Sequence, residues 1–199
     1  MKKLLNITAL LSLAIVMGLA NPLSLFQGTF ATDDQVALFN ITANTSEAIT
    51  IETYSYASGT VGSTLIPAGG FVPTAFLFDN LGDVQVLTNG TCSPVGQDPA
   101  TGNCNDLYFQ DTLAPGAYTL ALAVFNNTPV DTSVAEGFVE DGDSGFTCLE
   151  AGTSGSFCDL TTALGTTRTG NYAISVSGTD SVVNLPDPSS VFLLSLVAI

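Results

Sequence analysis

The side chains in this sequence best suited to chemistry are carboxylates. Glu136, Glu140, Asp141 and Asp143 fall in one short stretch punctuated by Gly137, Gly142 and Gly145. Asp141-Gly142-Asp143-Ser144 alternates oxygen ligands with glycine, and glycine lets the backbone turn so that carbonyls can join a hard cation's shell. The spacing is not that of an EF-hand, and no flanking helices are evident. These residues are candidate calcium ligands, set against the reading the residue types favour, a solvated acidic turn, because Asp, Asn and Gly suit turns. Asp79, Asn80 and Asp83 form a smaller calcium candidate, with Asp106 as a partner across a sheet.

The rest of the composition removes most other chemistry. The 199-residue chain has no histidine, 18 acidic and 3 basic side chains, and a net charge of -15. There can be no Ser-His-Asp triad and no histidine-ligated metal. Nucleic acid is not expected as a partner, because phosphate binding needs clustered Lys and Arg. A two-carboxylate glycosidase is the catalytic option that remains, but no pair of acids stands out and no aspartic-protease motif is present. The expectation is therefore a protein without catalytic residues. Carbohydrate binding is the stronger rival, with Tyr54, Tyr56 and Tyr108 standing in for the missing tryptophan; these tyrosines also suit half-buried packing. Arg168 has two readings, as a partner for an anionic ligand or as a structural partner for a neighbouring acid; so negative a surrounding favours the second.

Four cysteines divide into Cys92 with Cys104 and Cys148 with Cys158, each pair in Gly-, Ser- and Asn-rich sequence. No closely spaced knuckle of the kind zinc sites use is present. The spacing favours two local bridges that staple long loops; four cysteines permit three connectivities, and the nested and crossed ones stay open.

These residues must be positioned by strands. Only 11% of the chain is charged and 46% is hydrophobic, enough apolar surface to order a core. Strand signals run over Val36–Thr42, Ala48–Tyr56, Thr74–Phe78, Val84–Thr88, Leu107–Leu113, Tyr118–Phe125 and Asn171–Ser177, and no amphipathic helix stands out. Ile49, Ile51 and Thr53 alternate with Thr50, Glu52 and Tyr54. Tyr118, Leu120, Leu122 and Val124 share one face, with Ala117, Thr119, Ala121 and Ala123 on the other. The turn at 79–83 makes a hairpin of its flanking strands. A long acidic, glycine-rich excursion fills 126–167. The pattern predicts an all-β fold: one antiparallel β-sandwich of jelly-roll type, about seven or eight strands, with long disulfide-stapled loops.

Both ends read as addresses. Lys2 and Lys3 precede an apolar run from Leu4 to Leu19, and Gly18-Leu19-Ala20 supplies a signal-peptidase site. Cleavage after Ala20 would take the charge from -15 to -17 and leave Arg168 as the one basic side chain. The domain reading is a signal peptide over 1–20, a linker over 21–31, the sandwich over 32–180, and a linker with a truncated sorting segment over 181–199.

Pro186-Asp187-Pro188 followed by the apolar run Val191 to Ile199 resembles the PEP-CTERM signal that exosortase processes, with Asp187 in place of glutamate and a run shorter than a membrane span of ~20 residues. The expectation is a sorting segment cut short. The body of the chain resembles bacterial pre-peptidase C-terminal (PPC-like) domains over most of 30–180. The likeness is carried by Phe30 to Tyr54, by Phe76-Leu77-Phe78-Asp79-Asn80-Leu81-Gly82, and by Asp106-Leu107-Tyr108 through Leu113-Ala114-Pro115-Gly116-Ala117-Tyr118-Thr119-Leu120, matched to a turn and final hairpin. Gly137-Phe138-Val139-Glu140-Asp141-Gly142, Phe157-Cys158-Asp159 and Arg168-Thr169-Gly170-Asn171-Tyr172-Ala173 resemble a subgroup of exported PEP-CTERM proteins of unknown function. The resemblance implies a jelly-roll-like sandwich at the surface of, or outside, a Gram-negative cell. It implies exosortase-type machinery as a partner, exopolysaccharide or other glycans as a second, and transient membrane contact through the terminal segments. It brings no enzyme activity. The function expected is a secreted or cell-surface structural or adhesive protein, with a calcium-assisted carbohydrate-binding module as the alternative.

Overall fold

A computed structural model describes residues 23–87, 92, 94–162 and 165–186. In chain order its strands are β1 (Ser24–Thr29), β2 (Ala37–Ala43), β3 (Glu47–Thr53), β4 (Gly59–Val61), β5 (Thr64–Ile66), β6 (Pro73–Phe78), β7 (Val84–Leu87), β8 (Tyr108–Leu113), β9 (Gly116–Val124), β10 (Asn171–Ser177) and β11 (Ser181–Asn184). One short helix, α1 (Phe146–Glu150), lies between β9 and β10. One sheet has the order β1-β10-β3-β8 and the other β11-β2-β9-β6-β7, and β4 and β5 form a separate small hairpin.

The pairings nest. β1 pairs with β10, β2 with β9, β3 with β8 and β6 with β7, all antiparallel. The chain is thus one long folded-back ribbon whose tip is the turn between β6 and β7. Successive strand pairs fall in alternate sheets, which is the jelly-roll topology the sequence predicts. Residues 44–46 and 114–115 carry the two sides of the ribbon from one sheet to the other at the same level, where Ala43 is opposite Gly116 and Glu47 opposite Leu113. The turn at 114–116 therefore changes sheet and does not close a hairpin. β8 and β9 belong to opposite sheets, and only long-range pairing distinguishes a turn that reverses a strand from one that changes sheet.

The core lies between the sheets. Phe39 and Ile41 of β2, Ile49 and Ile51 of β3, Leu120 and Leu122 of β9, and Ile174 and Val176 of β10 are fully buried in one cluster. Each contributes about 1.5–3 kcal/mol relative to an exposed side chain. The alternation expected of β3 and β9 is present. The outer face of β9 is also covered, because Ala121 and Ala123 lie in a second cluster with Phe76, Phe78 and Phe138. Phe138 comes from the long excursion, so part of that excursion packs on the sheet.

The sandwich extends beyond both predicted edges. Sequence pattern places Ser24–Thr29 in a linker, yet it is β1, in register with β10 from Ser24 opposite Val176 to Thr29 opposite Asn171. Ser181–Asn184, expected in the linker and sorting segment after the sandwich, is β11, paired with β2. Neither segment carries an alternation long enough to mark a strand by itself, and each becomes one through its neighbour. Gly28 shows how specific the fit is: a Cβ there would lie 2.4 Å from the Tyr172 hydroxyl oxygen, so only glycine lets that ring lie against β1. The signal-peptide residues 1–20, and Asp187, Pro188 and 191–199 of the sorting segment, lie outside the described residues; Pro186 is exposed.

Candidate functional site

Among the described residues four carboxylates are buried almost completely: Asp33, Asp98, Asp106 and Asp159. Three of them surround Arg168 and Tyr56 at one end of the sandwich. Arg168 Nε donates to the Gly70 carbonyl (2.9 Å), one terminal nitrogen donates to Asp98 Oδ2 (3.0 Å), and the other donates to the Tyr56 carbonyl (2.6 Å). The guanidinium also lies 4.1 Å from the centre of the Tyr56 ring. The Tyr56 hydroxyl donates to Asp159 Oδ2 (2.7 Å) and is 2.9 Å from Thr101 Oγ1, which in turn donates to Asp98 (2.8 Å). Asp106 accepts from Thr53 Oγ1 and from the amides of Tyr56 and Ala57. The network joins the end of β3, the loop before β8 and the return to β10, segments far apart in sequence.

The local sequence explains two of these positions. In Asp98-Pro99-Ala100-Thr101 and Asp159-Leu160-Thr161, the threonine donates through both its amide and its hydroxyl to the preceding aspartate. Such Asp-to-Thr turns are self-contained. Each aspartate then uses its remaining capacity on a distant partner, Arg168 or Tyr56. Burial alone would push the Asp98 carboxyl up, but the hydrogen bonds from Arg168 and Thr101 and the guanidinium charge outweigh it and hold the group below its ordinary value. Asp106 goes the other way: burial raises it despite its three donors. Tyr54, half-buried between Glu52 and Ser175, is pushed up to about 12, chiefly by burial. A cavity of about 10 Å³ beside Asp106 has room for no more than a water. The arrangement acts as a polar staple between these segments.

Asp33 does the same for the excursion. It accepts from the Gly145 amide (2.5 Å), the Thr147 amide (3.1 Å) and hydroxyl (2.5 Å), and the Phe157 amide (3.4 Å). The helix cap residue Gly145 is left-handed and has no side chain to cap with, so Asp33 supplies the cap from the other end of the chain. Cys148–Cys158 closes the same unit, and Cys92–Cys104 staples the loop before β8. These are the two local bridges favoured by spacing, and they fit an oxidising compartment.

The predicted calcium ligands are not gathered. Among the described residues no group of three or more Asp, Glu, Cys or His side chains could hold a metal ion. Glu136, Asp141 and Asp143 are exposed, and Asp141 Oδ2 accepts from the Phe138 amide (2.9 Å), closing a local turn. Glu140 is partly buried. Burial, and then the charges of Glu150, Asp143 and Asp33, raise its carboxyl. Asp79 Oδ1 accepts from the amides of Leu81 and Asp83, which shapes the β6–β7 turn, so Asp83 meets Asp79 through its backbone. Asp106 is committed to the staple rather than to Asp79. Of the tyrosines expected as a sugar platform, Tyr56 is fully buried and Tyr54 and Tyr108 are half-buried.

The sequence points to a structural Arg168 but not to its partner, and it does not mark Asp33, Asp98 or Asp159 as buried groups. The Asp-to-Thr turn pattern is the available signal for two of them; Asp33 has none, since its partners begin 112 residues away. Fold and site together define a disulfide-stapled jelly-roll sandwich whose buried charges hold its long loops. No family model matches the chain, and no curated protein is significantly similar to it.

Proposed function

We propose that this chain is a non-catalytic secreted or cell-surface protein with a structural or adhesive role, associated with exopolysaccharide or another extracellular matrix. The observation that carries the reading is the commitment of Arg168, Asp98, Asp106 and Asp159 to one buried network. The side chains with the greatest chemical capacity hold loops together. Two disulfides support an oxidising destination, and the terminal segments, read as a signal peptide and a PEP-CTERM-like sorting segment, support export and processing by exosortase-type machinery. The high negative charge suits a protein that stays soluble outside the cell. The calcium-assisted alternative lacks a gathered ligand set among the described residues.

The test is fractionation of cells producing the full chain, a form lacking residues 1–20, and an Asp187→Ala variant. The expected result is surface or matrix recovery of the first, cytoplasmic retention of the second, and altered processing or retention of the third. Cytoplasmic recovery of the full chain would overturn the reading.

A further inference from the structure

We infer that the surface along β1, the edge strand of its sheet among the described residues, is a binding site for a neutral, polyhydroxylated ligand, of the chemistry of an uncharged polysaccharide. The inference rests on the extracellular reading above and gives it a partner. Two grooves, of about 330 Å³ and about 290 Å³, flank the end of β1 and share Thr29 and Tyr172 in their walls. Both approach the size of small-ligand sites. Among the described residues no Asp, Glu, Lys or Arg lines either one. They differ in this from the groove beside the β6–β7 turn, which includes Asp79.

The polar groups that replace charge are amides and hydroxyls. On β1, Gln27 and Thr29 are exposed on one face, and Asn171 of β10 lies directly opposite Thr29. The Thr29 hydroxyl donates to Asn171 Oδ1 (2.7 Å). That bond fixes the amide, so the Asn171 nitrogen is left as donor and the Thr29 oxygen as acceptor. A sugar hydroxyl both donates and accepts, and this pair answers both needs with little reorganisation. Pro67, just after β5, is exposed and gives the larger groove an apolar wall for the C–H face of a ring. On the other side of Thr29 the second groove adds Asn184, the last residue of β11. Among the described residues an anionic ligand has no cation to meet there, because Arg168 is buried in the staple.

The experiment is native gel electrophoresis of the oxidised full chain in gels containing a neutral glucan, mannan or galactan, with alginate as the anionic comparison. Retardation by a neutral polymer and not by alginate is expected. Gln27→Ala/Asn171→Ala should weaken it about tenfold, as loss of two or three exposed hydrogen bonds does, with an unchanged thermal midpoint. Thr29→Val should weaken it too, and Asp141→Ala should not. No retardation by any neutral polymer, or retardation that ignores the groove variants, would overturn the site. Surface recovery of a chain that binds no glycan would leave the structural reading standing without the groove. Glycan binding by a chain that stays in the cytoplasm would do the reverse.

Discussion

Replacing Arg168 by methionine keeps much of the side-chain volume and removes the guanidinium. The Asp98 carboxylate, the Gly70 carbonyl and the Tyr56 carbonyl then lose their donors at 3.0, 2.9 and 2.6 Å in a buried setting. Removing one partner of a buried ion pair costs about 3–5 kcal/mol, because the other charge stays behind unpaired. For a domain of this size each kcal/mol lowers the thermal midpoint by roughly 2–4 °C, so the expected drop is on the order of 6–20 °C. Calorimetry of the oxidised protein near neutral pH measures it. Adding Asp98→Asn to Arg168→Met should recover part of the loss, and the double-mutant cycle isolates the pair. The pH dependence has a defined sign. Asp98 is held below its ordinary value, so its contribution is complete above that value and disappears as pH falls through the lower folded one. Arg168→Met should therefore unfold at higher pH on the acid side. A midpoint unchanged by Arg168→Met, with no coupling in the cycle, would refute the staple.

Asp33→Ala should cost about 2–4 kcal/mol, since four donors lose a buried acceptor, and hydrogen exchange should rise at Phe146–Glu150 before it rises in β2 or β9. A mild reductant should open Cys92–Cys104 first, because Cys92 is exposed while Cys148 and Cys158 are buried. Mass spectrometry after alkylation would show the order, and each loss should cost about 2–3 kcal/mol. In alkaline titration followed by ultraviolet absorbance, the Tyr54 phenol should ionise only near pH 12, and its contribution to stability should be lost as pH rises through that value. Burial also raises Glu52, Asp106 and Glu140, so their contribution should grow as pH falls from neutrality toward about 4 and shrink as it rises again. Millimolar calcium should leave the thermal midpoint unchanged. A large rise reversed by chelator and absent in Asp141→Ala/Asp143→Ala would restore the acidic loop as a metal site.

Strands with a pattern of their own are legible in the amino-acid sequence. Asn171–Ser177 has the same limits in sequence and in structure, and the apolar faces of β3 and β9 are those that alternation assigns. β1 and β11 are not legible, because Ser-Leu-Phe-Gln-Gly-Thr and Ser-Val-Val-Asn are strands only beside β10 and β2. The acids divide in the same way. Asp79 and Asp141 can be read as turn residues, and they are turn residues. Asp33 cannot be read as a helix cap, because its partners lie on the far side of the chain.

Composition and short-range pattern were enough to settle the class of fold, the absence of histidine chemistry and the alternation that builds the core, and to favour, without fixing, the local pairing of the cysteines. Each of these follows from residue counts or from neighbours a few residues apart. Long-range packing settled which turns reverse a strand and which change sheet, and which carboxylates are buried. It also settled that the lone basic residue of the sandwich is spent on Asp98 and Tyr56. The physical reason is that a carboxylate's role depends on its solvent and its partners. Both are set by segments brought together over about a hundred residues of chain, as the 112-residue reach of Asp33 shows.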